Sequence, residues 1–114
     1  MKTVYKIVAA DLWQAAADSG VFAGAGIDLS DGFIHLSTGA QARRTAALYF
    51  AGQDNLVLVA VDEASLGDAL KYEPSRDGDL FPHLYGSLPL TAVRSALPLT
   101  LDADGHHIFP DDVD

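Results

Sequence analysis

Two histidines sit in stretches whose neighbours are mostly apolar, and each raises the same question. His35 lies in GFIHLST (32–38), between Ile34 and Leu36, and is followed by Ser37 and Thr38. His83 lies in EPSRDGDLFPHLYG (73–86), beside Phe81, Leu84 and Tyr85, with Glu73, Ser75 and Arg76 upstream. An imidazole in such a setting is either a core residue bonded to a carbonyl or a group facing a pocket, where it can donate to a ligand hydroxyl or carry a proton. On an extended strand His35 shares a face with Phe33 and Ser37, because successive side chains alternate.

The residues around the two histidines extend this chemistry. Ser37 and Thr38 precede a helix, so they either cap it or present N–H groups to an anionic ligand. His83 and Tyr85 share a face if the segment is extended, and together form a platform for a flat ring. Arg76 with Ser75 suits bidentate capture of phosphate or carboxylate, or else pairs with Asp77 or Asp79. Glu73 either pairs with Arg76 or takes up a proton, and Arg43 and Arg44 are further candidate bases. Candidate catalytic residues are thus His35, Glu73 and His83, and candidate ligand-binding residues are Ser37, Thr38, Ser75, Arg76 and Tyr85. No metal is expected: no carboxylate spacing supports a site at His35 and His83, and His106 and His107 beside a turn project to opposite faces.

The bulk of the sequence narrows the classes. The 114 residues suit one domain, 1–114, with a real core, and the 49% hydrophobic content excludes a disordered chain. The absence of cysteine excludes a disulfide scaffold and a thiol nucleophile. A formal charge of −9 repels phosphate backbones, so nucleic acid is not an expected partner. The opening MKTVYKIVAADLW lacks the pattern of a signal peptide, and the aliphatic run LVLVAV (56–61) is far too short to span a bilayer. The expected location is cytoplasmic, with no membrane association; the oligomeric state is left open.

These residues need elements to hold them. TVYKIVA (3–9) alternates as a strand. ADLWQAAADSG predicts a helix capped by Asp11, closed by Gly20, with Leu12, Ala15, Ala16 and Ser19 on one face. The glycine-rich, acidic segment 21–32 reads as a loop, and FIHLS (33–37) as the second strand. Thr38 and Gln41 have capping-box spacing, opening a helix with Ala42, Ala46, Tyr49 and Phe50 as its apolar stripe. NLVLVAVD (55–62) reads as a central strand, since its aliphatic run needs cover on both faces. ALKYEPS (69–75) is a strand, 75–89 a long irregular segment, and TAVRSALPLTL (91–101) a strand whose Pro98 suggests a sheet edge or bulge.

Taken together, VYKIV, DGFIHLST, KYEPS, FPHLYG and the AV of TAV resemble the bacterial family known as domain of unknown function 952, over nearly the whole chain. Tyr72 stands where that family carries tryptophan. The resemblance implies an α+β fold of ADP-ribosyltransferase-like architecture, with a small split mixed or antiparallel sheet, two main helices and a cleft between the halves. It further implies a nucleotide-like ligand, with NAD or ADP-ribose as the cofactor class and glycosyl or ADP-ribosyl transfer as the reaction. His35 would hold a ribose hydroxyl, Tyr85 would stack on a base, Arg76 would hold pyrophosphate and Glu73 would act on the ribose. The late glutamate of such transferases has no counterpart, because no glutamate follows Glu73. The second reading is a non-catalytic module binding a small metabolite or a protein on the same fold.

Overall fold

A computed structural model describes residues 2–113, apart from the side chain of Arg76. The first strand, β1 (Thr3–Ala9), is buried from Val4 to Val8. Such continuous burial requires cover on both faces, and β1 has it. Val4 and Val8 join a core with Ile34, Leu36, Val59, Val61, Leu84 and Leu88, while Tyr5 and Ile7 join a second core with Ala42, Ala46, Leu56, Leu58 and Leu99.

Helix α1 (Ala10–Ser19) follows directly. It ends at Gly20, whose φ of 91° is left-handed and whose N–H bonds to the Ala16 carbonyl at 2.9 Å. Two expectations fail here. The N-cap is Ala9 rather than Asp11. The inward face carries Ala16 and Trp13, whose ring meets Phe22 at 5.8 Å, whereas Leu12 is exposed.

The segment expected as a loop, 21–32, holds two short elements. These are β2 (Val21–Phe22) and the five-residue helix α2 (Ile27–Asp31). Phe22 is buried, which anchors β2, and α2 is too short for hydrophobic periodicity to reveal.

The expected second strand is really two. Strand β3 (Ile34–His35) and strand β4 (Ser37–Thr38) belong to different sheets, and the chain passes from one to the other at Leu36. Helix α3 (Gly39–Tyr49) then begins as predicted, with the Thr38 N–H donating to Gln41 Oε1 at 3.1 Å. Ala42 and Ala46 face the core, but Tyr49 is exposed rather than part of the stripe.

Strand β5 (Leu56–Asp62) is central, as its sequence demands. A 3₁₀ segment, Glu63–Ala69, leads to β6 (Leu70–Pro74). The irregular segment expected at 75–89 is corrected by β7 (Leu80–Leu84), which is buried from Phe81 to Leu84, and by β8 (Leu88–Pro89). Pro82 argues against a central strand. It is accommodated because β3 has ended opposite it, and its carbonyl accepts the Leu36 N–H at 3.0 Å. Strand β9 (Val93–Leu99) completes the set and includes Pro98.

The sheets run β4-β1-β5-β9, β3-β7-β6 and β2-β8, and all strand pairs among the described residues are antiparallel. The result is a small α+β fold with few helices. Strand β9 is the outer strand of its sheet, which suits Pro98; the register shift of the β5–β9 pair lies at Ala60 and Val61, opposite Ser95 and Val93, whereas Pro98 pairs with Val57 in regular register. Among the described residues no helix is long and apolar enough to cross a membrane.

Candidate functional site

The β3–β7 ladder aligns Ile34 with Leu84 and His35 with His83. Alternation then divides the chemistry cleanly. Ile34 and Leu84 go to the core, at 1% and 2% exposure. His35 and His83 go to the other face, together with Phe33 and Tyr85. The β6–β7 register adds Glu73, opposite Phe81, to that face.

The imidazoles lie 5.5 Å apart, edge to face at 66°. Phe33 packs on both, stacked on His83 at 4.2 Å and tilted against His35 at 4.6 Å, and it also meets Tyr85 at 5.1 Å. Aromatic packing of this kind restricts both imidazoles to defined orientations.

His35 is held at each nitrogen by a carboxylate from α2. Nδ1 lies 2.6 Å from Asp28 Oδ1, and Nε2 lies 3.0 Å from Asp31 Oδ2. Asp28 is a junction: its Oδ1 also accepts the His35 backbone N–H at 3.0 Å, and its Oδ2 accepts the Ala25 N–H at 3.0 Å. The same Oδ2 meets Lys6 Nζ at 2.8 Å, and Lys6 donates in turn to the His35 carbonyl at 3.0 Å. Burial alone would raise the Asp28 carboxyl, but the Lys6 ammonium and the His35 donors outweigh it and hold the group below its usual range. Burial pushes the Lys6 ammonium down, and the attraction of Asp28 offsets only part of that.

His83 has a different arrangement. Its Nδ1 donates to Glu73 Oε1 at 2.8 Å, and the Tyr85 hydroxyl donates to the same oxygen at 2.7 Å. A carboxylate accepts only, so this bond fixes the proton on Nδ1 and leaves Nε2 as the basic nitrogen of the neutral ring. The bonds from Tyr85 and His83 draw the Glu73 carboxyl below its usual range, and the bond to Glu73 raises the Tyr85 hydroxyl.

A cavity of about 610 Å³ opens beside both imidazoles. His35, His83, Ser37 and Ser75 line it, together with Asp28, Asp31 and Lys6. Ile7, Leu12, Ile27, Phe50 and Phe81 supply apolar wall. The volume and the mixture of apolar wall with a few polar groups are those of a small-molecule site.

The other sequence candidates lie elsewhere. Glu73 and Tyr85 stand behind His83 rather than in the lining, and Glu73 accepts from His83. Thr38 borders a separate hollow of about 320 Å³ with Lys2, Gly39 and Ala40, so the α3 N-terminus is directed away from the imidazoles. The Arg76 side chain lies outside the described residues. Arg43 bonds to the Val113 and Pro110 carbonyls, and Arg44 reaches Asp77 at 3.8 Å, which corrects their candidacy as cavity bases. The remaining glutamate, Glu63, is held by the Tyr72 hydroxyl and by Lys2 at 3.5 Å, away from the cavity. Among the described residues the group close enough to share an ion is Asp102, Asp104 and His106, which is exposed at a turn. His107 bonds the Gln53 carbonyl at 2.9 Å.

Sequence reasoning missed Asp28, Asp31, Lys6 and the packing role of Phe33. Lys6 offered a signal, being a lone cation in the alternating strand TVYKIVA. The two acids of GIDLSDG, flanked by glycine and close to His35, offered another.

Comparison with known proteins agrees with this architecture. Comparison with curated proteins gives no match. The crystal structure of protein CC0527 from Caulobacter crescentus is similar, with 51% identity, 93% of each chain covered and a TM-score of 0.89. Its solution structure is likewise similar, with 52% identity over 93% of this chain and 91% of that one, at a TM-score of 0.84. The pattern described as "Protein of unknown function (DUF952)" matches residues 7–96. That match covers most of the sequence, including both histidines and the ladders that align them, and the chain therefore belongs to the DUF952 family.

Proposed function

We propose that the cavity binds a ribose-bearing, nucleotide-like ligand of the NAD or ADP-ribose class. The observation that carries this reading is the opening of two carboxylate-held imidazoles into one cavity of about 610 Å³. His35 and His83 offer nitrogens to sugar hydroxyls, while Ser37 and Ser75 add hydroxyls of their own. The apolar wall takes a base. Two antiparallel sheets flanking the cavity support an ADP-ribosyltransferase-like arrangement, in which ligand lies in the cleft between the halves.

For group transfer at the ribose, His83 is the residue to move a proton. Glu73 fixes its tautomer, and Nε2 takes the hydrogen from an attacking hydroxyl as its oxygen bonds to the ribose C1′ and the C1′–nicotinamide bond breaks, its electron pair leaving with neutral nicotinamide. The second reading, binding without catalysis, is favoured by one observation: no glutamate is in the cavity lining among the described residues. Stabilisation of a developing positive charge on the sugar therefore falls to Asp28 and Asp31, which already hold His35.

Calorimetric titration with NAD and ADP-ribose tests the reading. Binding is expected, and His35→Ala weakens it about tenfold, or about 1.4 kcal/mol. Release of nicotinamide from bound NAD, lost in His83→Ala, separates the enzyme from the binding module. Absence of heat with both compounds overturns the proposal.

A further inference from the structure

Asp31 occupies the position on His35 that a ligand needs. Of the two ring nitrogens, Nδ1 is committed to Asp28, whose side chain is 1% exposed and which also holds Lys6 and two backbone N–H groups. Nε2 faces Asp31 Oδ2 at 3.0 Å, and Asp31 lines the same cavity from α2 with its side chain about half exposed. A guest that reaches Nε2 therefore meets the Asp31 carboxylate at once.

The consequence depends on what the guest carries. When the ring carries a hydrogen on each nitrogen, one for each carboxylate, a hydroxyl can bond to both groups, accepting from the Nε2 hydrogen and donating its own hydrogen to the Asp31 carboxylate. A phosphate oxygen accepts but has no hydrogen to give when ionised, and it brings negative charge beside Asp31. The cations at hand do not compensate, because the ring so protonated already lies between the Asp28 and Asp31 carboxylates and the Lys6 ammonium is engaged by Asp28 and the His35 carbonyl. A desolvated like-charge contact of this kind is how binding sites reject a wrong partner.

We infer that Asp31 is a specificity determinant: it makes the His35 end of the cavity accept an unphosphorylated sugar hydroxyl and turn away a phosphorylated one. This rests on the ribose-binding reading above and narrows it. The ligand class is a nucleoside, or a nucleotide whose phosphates lie away from the hydroxyls gripped by His35.

The test is calorimetric titration with adenosine, adenosine 2′-monophosphate and adenosine 3′-monophosphate, on the native chain and on Asp31→Asn. The native chain is expected to prefer adenosine by tenfold or more. Asp31→Asn should strengthen binding of the monophosphates about tenfold and so remove most of the native preference for adenosine, whose hydroxyl still finds an acceptor in the amide oxygen. Asp31→Ala serves as a second variant, and retention of the native thermal midpoint shows that either variant is folded. If adenosine binds but its preference over the monophosphates is the same in native and variant chains, this inference alone falls. If adenosine gives no heat with any chain, the ribose-binding reading falls and takes this inference with it.

Discussion

His35 and His83 face one another across a single ladder, yet the chain holds them in opposite ways. At His35 the imidazole is 26% exposed and its principal carboxylate, Asp28, is sealed. At His83 the imidazole is 6% exposed, along the edge that lines the cavity, and its carboxylate, Glu73, is 36% exposed. The first arrangement joins elements: Asp28 ties α2 to β1 through Lys6 and to β3 through His35. The second joins few elements but gives the carboxylate behind the imidazole access to solvent, where protons can exchange. One carboxylate links elements of the fold, and the other is suited to tuning a ring that faces the cavity.

The sharpest way to break this contrast is to remove Asp28. Asp28→Ala leaves the Lys6 ammonium buried without its partner, and loss of one member of a buried pair costs roughly 3–5 kcal/mol. Urea denaturation should show that loss, and a destabilisation below about 1 kcal/mol would mean that the junction is not what closes the fold.

Acid tests the same group more gently. The folded chain holds the Asp28 carboxyl below 3.8, its ordinary value, so the unfolded chain takes up the proton first. The stabilisation from Asp28 is therefore complete above about pH 4 and declines as pH falls from there through the folded value. Denaturation midpoints between pH 5 and pH 2 should follow that course, and Asp28→Asn, already weakened, should show a shallower slope. An unchanged slope in the variant would assign the acid response to other carboxylates.

The smallest effect on stability belongs to the His83 side. Tyr85→Phe removes a bond at an exposed hydroxyl, and Glu73→Gln keeps an amide oxygen that can still accept from the buried His83 ring, so the thermal midpoint should stay close to native. Glu73→Gln should nonetheless alter ligand affinity, because an amide can either accept from Nδ1 or donate to it and no longer fixes the tautomer. A large drop in midpoint without a change in affinity would make the Glu73–His83 bond structural, like that of Asp28.

How much of this was legible follows from the range of each interaction. Strand β5 announced itself, because LVLVAV needs cover on both faces, and α3 announced itself through Thr38 and Gln41. The two histidines drew attention as polar groups in apolar runs. Strand β7 was hidden by Pro82, whose tolerance depends on where a distant partner strand stops. The division of 33–38 between two sheets was hidden because alternation reports which face a residue takes, not which strand it pairs with. Asp28 was hidden for a similar reason: nothing local says that an acid in a short glycine-flanked segment will meet a lysine from β1. Local pattern located the imidazoles, while their carboxylate partners depended on tertiary contacts.

The outer position of β9 has a consequence for self-association. Proline carries no N–H, so Pro98 interrupts the row of donors that a docking strand would need. Edge-to-edge growth of the four-stranded sheet is discouraged on that side, which disfavours intermolecular β-structure built through the largest sheet of an aliphatic chain.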